Sequence, residues 1–299
     1  MNAFLYALLC LIWGSTWLAI KVGLAGVPPF LGAGLRFLLA AAIVAVVAIA
    51  RRTSFRLTRN DRICVLSSGL LVFWLDYASV YWAEERISSG LTAVLFSTMP
   101  LMTALLSVYW TRTERLQPRK LAGILAGVGG TALLFWPGEP LGRAQILGMA
   151  SALGGAFCAA ANLVIVKKYG QHTNSWLLNL LGMAIGTACL LAMSAALERG
   201  APVHWTHSNV AAVVYLAVFG SVITFSAYYY LLKRMDATAL SLTTLIIPIV
   251  ALGLGRAVLG ETIRESALVA VAIILLGVGI AIVPTPRPSP ARGGERAPL

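Results

Sequence analysis

The sequence predicts an all-α integral membrane protein with ten transmembrane helices arranged as two inverted five-helix repeats. Three observations carry that prediction. Of 299 residues, 59% are hydrophobic and only 11% are charged, against roughly 25% charged in a soluble domain. The apolar residues fall into successive runs of roughly 18–24, each long enough to cross a hydrocarbon core of about 30 Å at 1.5 Å per residue. Landmarks of the first half also recur in the second at matched intervals.

In order, the spans run over 3–23, 30–50, 63–83, 88–110, 118–136, 145–166, 174–196, 209–231, 237–259 and 266–283. They use nearly the whole chain and leave no soluble domain. The first span lacks a basic leading segment and keeps Trp13 and Trp17, so it reads as a retained helix rather than a cleaved signal. It sets Cys10, Trp13, Gly14, Trp17 and Lys21 on one face. Its two indoles lie mid-span, away from the interfacial belts that tryptophan favours. They line a cavity or pack against neighbouring helices. The second span carries Arg36 at a depth comparable to Lys21.

The third span, within GLLVFWLDYASVYWAEE (69–85), places Trp74, Tyr77 and Tyr81 on one stripe. Each tyrosine hydroxyl needs a partner, which a cavity supplies more readily than lipid does. Asp76 is the one acid set well inside a span, about seven residues or 10 Å from the outer end. An intramembrane carboxylate is costly and marks a functional position by default. Together with Lys21 and Arg36, it could form an outer gate, hold the two charges of a zwitterion or make a static ion pair. The two cations could instead snorkel outward.

The fourth span contributes Phe96 as a further candidate contact, and Pro100 deep in its length. The fifth has a GxxxG face through Gly123 and Gly127, with Gly130 below; the tenth is thinned by Gly277 and Gly279. Such faces pack helices within a bundle or make a homodimer contact. Asn162 on the sixth span and Thr243 and Thr244 on the ninth bring amide and hydroxyl groups near the midplane. They contact a ligand or hydrogen-bond between helices. The seventh span is an uninterrupted apolar run. The eighth carries Ser221, Thr224, Phe225 and Tyr228 on one face, with Tyr229 and Tyr230 following as expected belt residues. Pro248 on the ninth matches Pro100 on the fourth. Each removes a backbone donor, so both are expected hinges. The segment 284–299, with five prolines and three arginines, reads as a disordered cytoplasmic tail.

The repeat is a matter of spacing more than of letters. Ser89, Pro100, Glu114 and Gly130 correspond to Ala237, Pro248, Glu261 and Gly277, following Lys21 and Lys167 respectively. Proline comes 11 residues after the small residue in both halves, glutamate 14 or 13 later, and glycine 16 after that. Five spans per unit, over 1–137 and 138–283, oblige the second copy to enter the membrane from the opposite side. Such inverted repeats suit alternating access around a midplane site; the alternative is a duplicated scaffold.

A net charge of +12 would raise the question of nucleic acid in a soluble chain. Here 16 of the 23 Lys and Arg lie in the even-numbered loops and the tail, which places both termini in the cytoplasm by the positive-inside rule. No nucleic-acid partner is expected. The four cysteines show no CxxC spacing and read as packing residues. His172, His204 and His207 lie in loops or at helix ends and include no HExxH, so no metal, cofactor or catalytic machinery is expected.

WGSTWLAIK (13–21), SSGLTAVLFSTMPLMTALLS (88–107) with TERLQPRKLAG (113–123), and ATALSLTTLIIPIVALGLGRAVLGE (237–261) resemble EamA-type members of the drug/metabolite transporter superfamily. The resemblance covers essentially the whole chain. It implies ten helices in two inverted halves, a cavity lined mainly by helices 1, 3, 4, 6, 8 and 9, and export of amino acids or other small metabolites from the cytoplasmic membrane. One departure stands out: Thr113-Glu114-Arg115, preceded by Trp110-Thr111-Arg112, replaces the family's Gly-Glu pair, which Gly260-Glu261 retains. Two other readings compete with metabolite export. The aromatic lining also suits drug or quaternary-cation efflux, and a passive channel would likewise carry polar groups along a path.

Overall fold

The computed structural model describes residues 1–115, 117–135, 142–259 and 265–282, and the regular structure among them is entirely helical. The proposed boundary at 137/138, the Gly260-Glu261 landmark, Arg264 and the tail 284–299 lie outside the described residues. Chain order is α1 (Asn2–Leu24), α2 (Pro29–Ala50), α3 (Arg59–Glu84), α4 (Ser89–Phe96), α5 (Met99–Leu105), α6 (Pro118–Phe135), α7 (Arg143–Tyr169), α8 (Ser175–Leu197), α9 (His207–Leu232), α10 (Ala237–Ser241), α11 (Thr243–Leu259) and α12 (Glu265–Ile282). Among the described residues, seven stretches are long and apolar enough to cross a membrane: α1, α2, α3, Leu91–Trp110, α7, α8 and α9. The molecule is thus an all-α, multi-pass membrane bundle.

Helix starts follow capping chemistry rather than the first apolar residue. Thr58 and Asp61 form a reciprocal box, with Asp61 N–H on Thr58 Oγ1 at 3.2 Å and Thr58 N–H on Asp61 Oδ2 at 2.9 Å. Thr206 and Asn209 do the same ahead of α9. These boxes satisfy orphan amides, so α3 and α9 begin at residues 59 and 207, earlier than the apolar runs at 63 and 209 indicate. Glu198, just past α8, accepts the amides of Phe30 and Leu31 at 2.7 and 3.0 Å and so ties the N-terminus of α2 to the end of α8.

Three helices depart from α winding. Within α3, Ser68–Asp76 is π-wound, as is Val218–Ile223 within α9; α5 continues directly into a π segment over Leu106–Trp110. After that last segment Arg112 takes φ 53, a left-handed conformation normally left to glycine. The helix end that departs from the family pattern is thus also locally irregular. Between α4 and α5 the helix is interrupted at residues 97–98, immediately before Pro100. Between α10 and α11 the interruption falls at Leu242, with Pro248 inside α11.

Lipid offers no hydrophobic drive for helix association, so close backbone approach at small residues does much of the work. A Cβ at Gly123 would lie 2.5 Å from the carbonyl oxygen of Gly277, and one at Gly277 would lie 2.5 Å from that of Gly123. The glycine face of α6 is therefore occupied by α12 of the same chain. Gly34 of α2 similarly admits Leu191 of α8, and Gly186 of α8 lies against Phe73 of α3. The main core gathers Phe37, Phe73, Phe225, Tyr228 and Tyr229 at its centre. Tyr229 is 1% exposed and donates to Ser68 Oγ at 3.0 Å, so it is a core residue rather than the belt residue expected.

Candidate functional site

A cavity of about 90 Å³ lies at the centre of the bundle. Its wall is built by Trp13, Thr16, Trp17 and Ile20 of α1; Val72, Asp76, Tyr77 and Val80 of α3; Phe96 of α4; Met99 of α5; Ala159 of α7; Phe225 and Tyr228 of α9; and Ser241, Thr243, Thr244 and Ile247 of α10 and α11. These come from the first, third, fourth, sixth, eighth and ninth of the ten sequence-read spans. Trp13, Trp17, Tyr77, Phe96, Asp76, Tyr228 and Thr244 are therefore brought together.

The aromatic rings form an interlocked set. Trp13 meets Phe225 and Tyr228 at centroid distances of 5.7 and 5.3 Å, and Trp17 meets Phe96 edge-on at 6.0 Å. Such tilted and edge-to-face contacts place ring faces beside ring edges and favour a fixed arrangement.

Both interrupted helices reach this wall. Pro100 has no amide hydrogen for the carbonyl of Phe96, and Pro248 has none for that of Thr244; Phe96 and Thr244 both line the cavity. Hydroxyl groups turn back onto the chain around each interruption. Ser97 and Thr98 donate to the carbonyls of Val94 and Leu95, both at 2.6 Å. Ser241, Thr243 and Thr244 donate to those of Thr238, Leu240 and Ser241 at 2.7, 2.9 and 2.9 Å. This local bonding stabilises non-helical turns.

The other sequence-read candidates sit elsewhere. Trp74 faces a separate groove of about 700 Å³ lined also by Phe30, Arg86 and Glu198. The π winding of Ser68–Asp76 breaks the α-helical stripe that joined Trp74 to Tyr77. Tyr81 is buried beside Gly32 of α2. Asn162 accepts from Ser67 and Ser68 at 2.9 and 3.0 Å, an interhelical bond rather than a cavity contact.

Lys21, Arg36 and Asp76 do not meet as ion pairs. Lys21 Nζ donates to the Glu84 carbonyl at 2.7 Å. Arg36 donates through Nε to Ser221 Oγ and through Nη2 to the Gly220 carbonyl, both at 2.9 Å. The ion pairs within 4.0 Å among the described residues are Arg86–Glu85 and Lys120–Glu114. Asp76 is 5% exposed, and its Oδ1 is buried with no hydrogen-bond partner. Among the described residues no group of three His, Cys, Asp or Glu is placed to hold a metal.

Sequence reasoning passed over Met99, Ala159 and Ile247, whose apolar character is indistinguishable from that of lipid-facing neighbours. Phe225 stood on the correct face of its span, and only the packing of Trp13 against it marks it as wall.

At the base of the bundle, away from this cavity, Glu114 accepts from Lys120 Nζ at 2.6 Å and from the Thr238 amide at 3.1 Å, so it joins the segment after α5 to the start of α10. Lys167 Nζ donates to the carbonyls of Leu232 and Met235 at 2.9 and 2.8 Å.

Comparison with known proteins adds to this geometry. The EamA-like transporter family model matches residues 1–136 and 146–283. An uncharacterized transporter of Bacillus subtilis (strain 168), YoaV, is 26% identical over 266 residues, covering 85% of this chain and 87% of that protein. The uncharacterized inner membrane transporter YedA of Escherichia coli (strain K12) is 29% identical over 275 residues, covering 88% and 84%. A Salmonella typhimurium (strain LT2) protein described as a "Probable amino-acid metabolite efflux pump" is 27% identical over 274 residues, with 88% of each chain covered. A solved crystal structure superposes with a TM-score of 0.77 at 22% identity, over 94% of this chain and 96% of that one, which is a likeness of fold.

Proposed function

We propose, from the premise that this chain belongs to the EamA-like transporter family, that it exports amino acids or related small metabolites by alternating access around the central cavity. Membership makes it a membrane transporter of small molecules rather than an enzyme. The cargo, direction and mechanism are our reading, supported above all by one observation: the interruptions of α4/α5 and α10/α11 converge on one aromatic cavity. Discontinuous helices at a midplane site are the architecture through which transporters expose cargo to each side in turn.

The same reading takes the chain as ten spans in two inverted halves, 1–137 and 138–283, seated in the inner membrane with both termini cytoplasmic. Paired details support it. Lys21, near the end of the first span, donates to the last turn of α3; Lys167, near the end of the sixth, donates to the last carbonyl of α9 and to that of Met235 just beyond it. The helices α3 and α9 each contain an internal π segment. In this reading Pro100 and Pro248 act as hinges beside the interruptions, and Lys21 and Arg36 fasten helices on the flanks of the site. The inner-membrane and efflux descriptions of relatives agree with it.

Counterflow in proteoliposomes tests the proposal. Saturable exchange of a labelled amino acid against the unlabelled one supports it. Exchange restricted to lipophilic cations would transfer the reading to drug efflux, which the ring-lined wall favours. Linear, non-saturating conductance without exchange would replace the transporter with a channel.

A further inference from the structure

We propose that the central cavity selects cargo carrying a protonated amino group on an apolar body, with Asp76 as the counter-ion of that group. This rests on the transporter reading above and moves its cargo from the amino acids themselves to related amines that lack the carboxylate.

Four observations converge. Among the described residues, Asp76 is the sole carboxylate or cation on the cavity wall, and its Oδ1 is buried without a partner. A buried charge is unfavourable unless a counter-charge or hydrogen bonds complete it. Neither nearby cation forms an ion pair with Asp76: Lys21 donates to the Glu84 carbonyl, while Arg36 donates to Ser221, to the Gly220 carbonyl and, at 3.4 Å, to the Tyr77 hydroxyl, its Nη1 staying buried without a partner.

The second observation is the polarity of the remaining wall. The hydroxyls of Thr16, Ser241, Thr243 and Thr244 all donate to backbone carbonyls, so what they present to a ligand is lone pairs. An ammonium brings three donors and no acceptor, which is the complement of that set.

Third, the rings of Trp13, Trp17, Phe96 and Tyr228 surround the space, and aromatic faces attract cations most strongly when water is excluded. A carboxylate in the same place meets no positive side chain among the lining residues, only the neutral indole N–H of Trp13 and the phenols, with Arg36 set behind Tyr77. Fourth, the wall is relieved beside the acid: a Cβ at Gly155 of α7 would lie 3.0 Å from Asp76 Oδ1, so glycine there gives the carboxylate its room.

A matched trio of ligands tests the inference by equilibrium titration of the purified full-length protein in detergent, read by isothermal calorimetry. Isoamylamine, L-leucine and 4-methylpentanoate share one branched body and differ in bearing a cation, a zwitterion or an anion. Isoamylamine is expected to bind saturably and at least about tenfold tighter than leucine, and 4-methylpentanoate not at all. Asp76→Asn is expected to weaken isoamylamine at least about tenfold, while Asp76→Glu retains part of the affinity. Leucine binding as tightly as isoamylamine, no binding of isoamylamine, or wild-type affinity in Asp76→Asn would each overturn the assignment. Should Asp76→Asn fail to elute as a single species, the trio on the wild-type protein decides alone. Binding in micelles requires no alternating access, so a protein that binds the amine yet shows no counterflow keeps this site and loses the transporter reading.

Discussion

Arg36 of α2 spans two groups of α9 at once, with Nε on Ser221 Oγ and Nη2 on the Gly220 carbonyl, both at 2.9 Å. Ser221 in turn donates to the Leu216 carbonyl five residues back, the spacing of the π turn itself. One guanidinium thus completes a stretch of backbone whose winding shifts carbonyls out of the usual α register.

Arg36→Met should therefore destabilise the protein by roughly 3 kcal/mol, the loss of two hydrogen bonds to a charged group with a buried carbonyl left bare. Arg36→Lys should fall between, since an ammonium cannot reproduce the planar fork. Thermal unfolding in detergent reads both. A melting temperature unchanged in Arg36→Met would refute the structural role.

Glu114 ties the segment after α5 to the start of α10 by holding both Lys120 and the Thr238 amide, and α10 and α11 carry wall residues Ser241 to Ile247. In a background lacking the native cysteines, thiol labelling of Thr244→Cys should accelerate about tenfold or more when Glu114→Ala is added, the equivalent of losing one charge-assisted bond of about 1.5–3 kcal/mol. Glu114→Gln, which keeps an acceptor for the amide, should accelerate it less. Equal labelling rates in all three would show that this contact does not guard the cavity.

At the α6–α12 seam, Gly123→Val should cost about 1–3 kcal/mol or separate the two helices, because its side chain would start within 2.5 Å of the Gly277 carbonyl. Gly279→Ala meets nothing within 4 Å and should be neutral or gain up to about 1 kcal/mol of helix propensity. The contrast between the two melting temperatures is the measurement; similar losses would mean that the seam is not specific.

The two tryptophan environments should separate in transport. For whichever cargo counterflow identifies, Trp17→Leu should raise the half-saturation concentration roughly tenfold, a desolvated ring contact being worth up to about 2 kcal/mol. Trp74→Leu, in the separate groove, should stay within about twofold. A larger effect at Trp74 would move the binding site to that groove.

The bundle was legible because lipid demands long apolar runs, and hydropathy reports those directly. The cavity was half legible. Trp13 and Trp17 announced themselves by lying mid-span in a regular helix, and both reach the wall. Trp74 did not follow Tyr77 there, because the π winding of Ser68–Asp76 has no signature in residue spacing; Tyr81, one α turn beyond Tyr77, packs beside Gly32 of α2 instead. Arg36 stood out as a cation within a span, but its shortest bonds go to partners 184 and 185 residues away on another irregular turn. Proline spacing pointed to both interrupted regions, yet only at Pro100 does the break adjoin the proline. In the second half it falls at Leu242, where hydroxyls on both sides bond back to the chain.

The seam of Gly123 and Gly277 has a mechanical meaning. It joins a helix from the early part of the chain to one from its end with backbone touching backbone, a fit that any bulkier side chain at the seam would force apart. The pair therefore behaves as a single rigid rib, and none of the described residues lining the cavity comes from it.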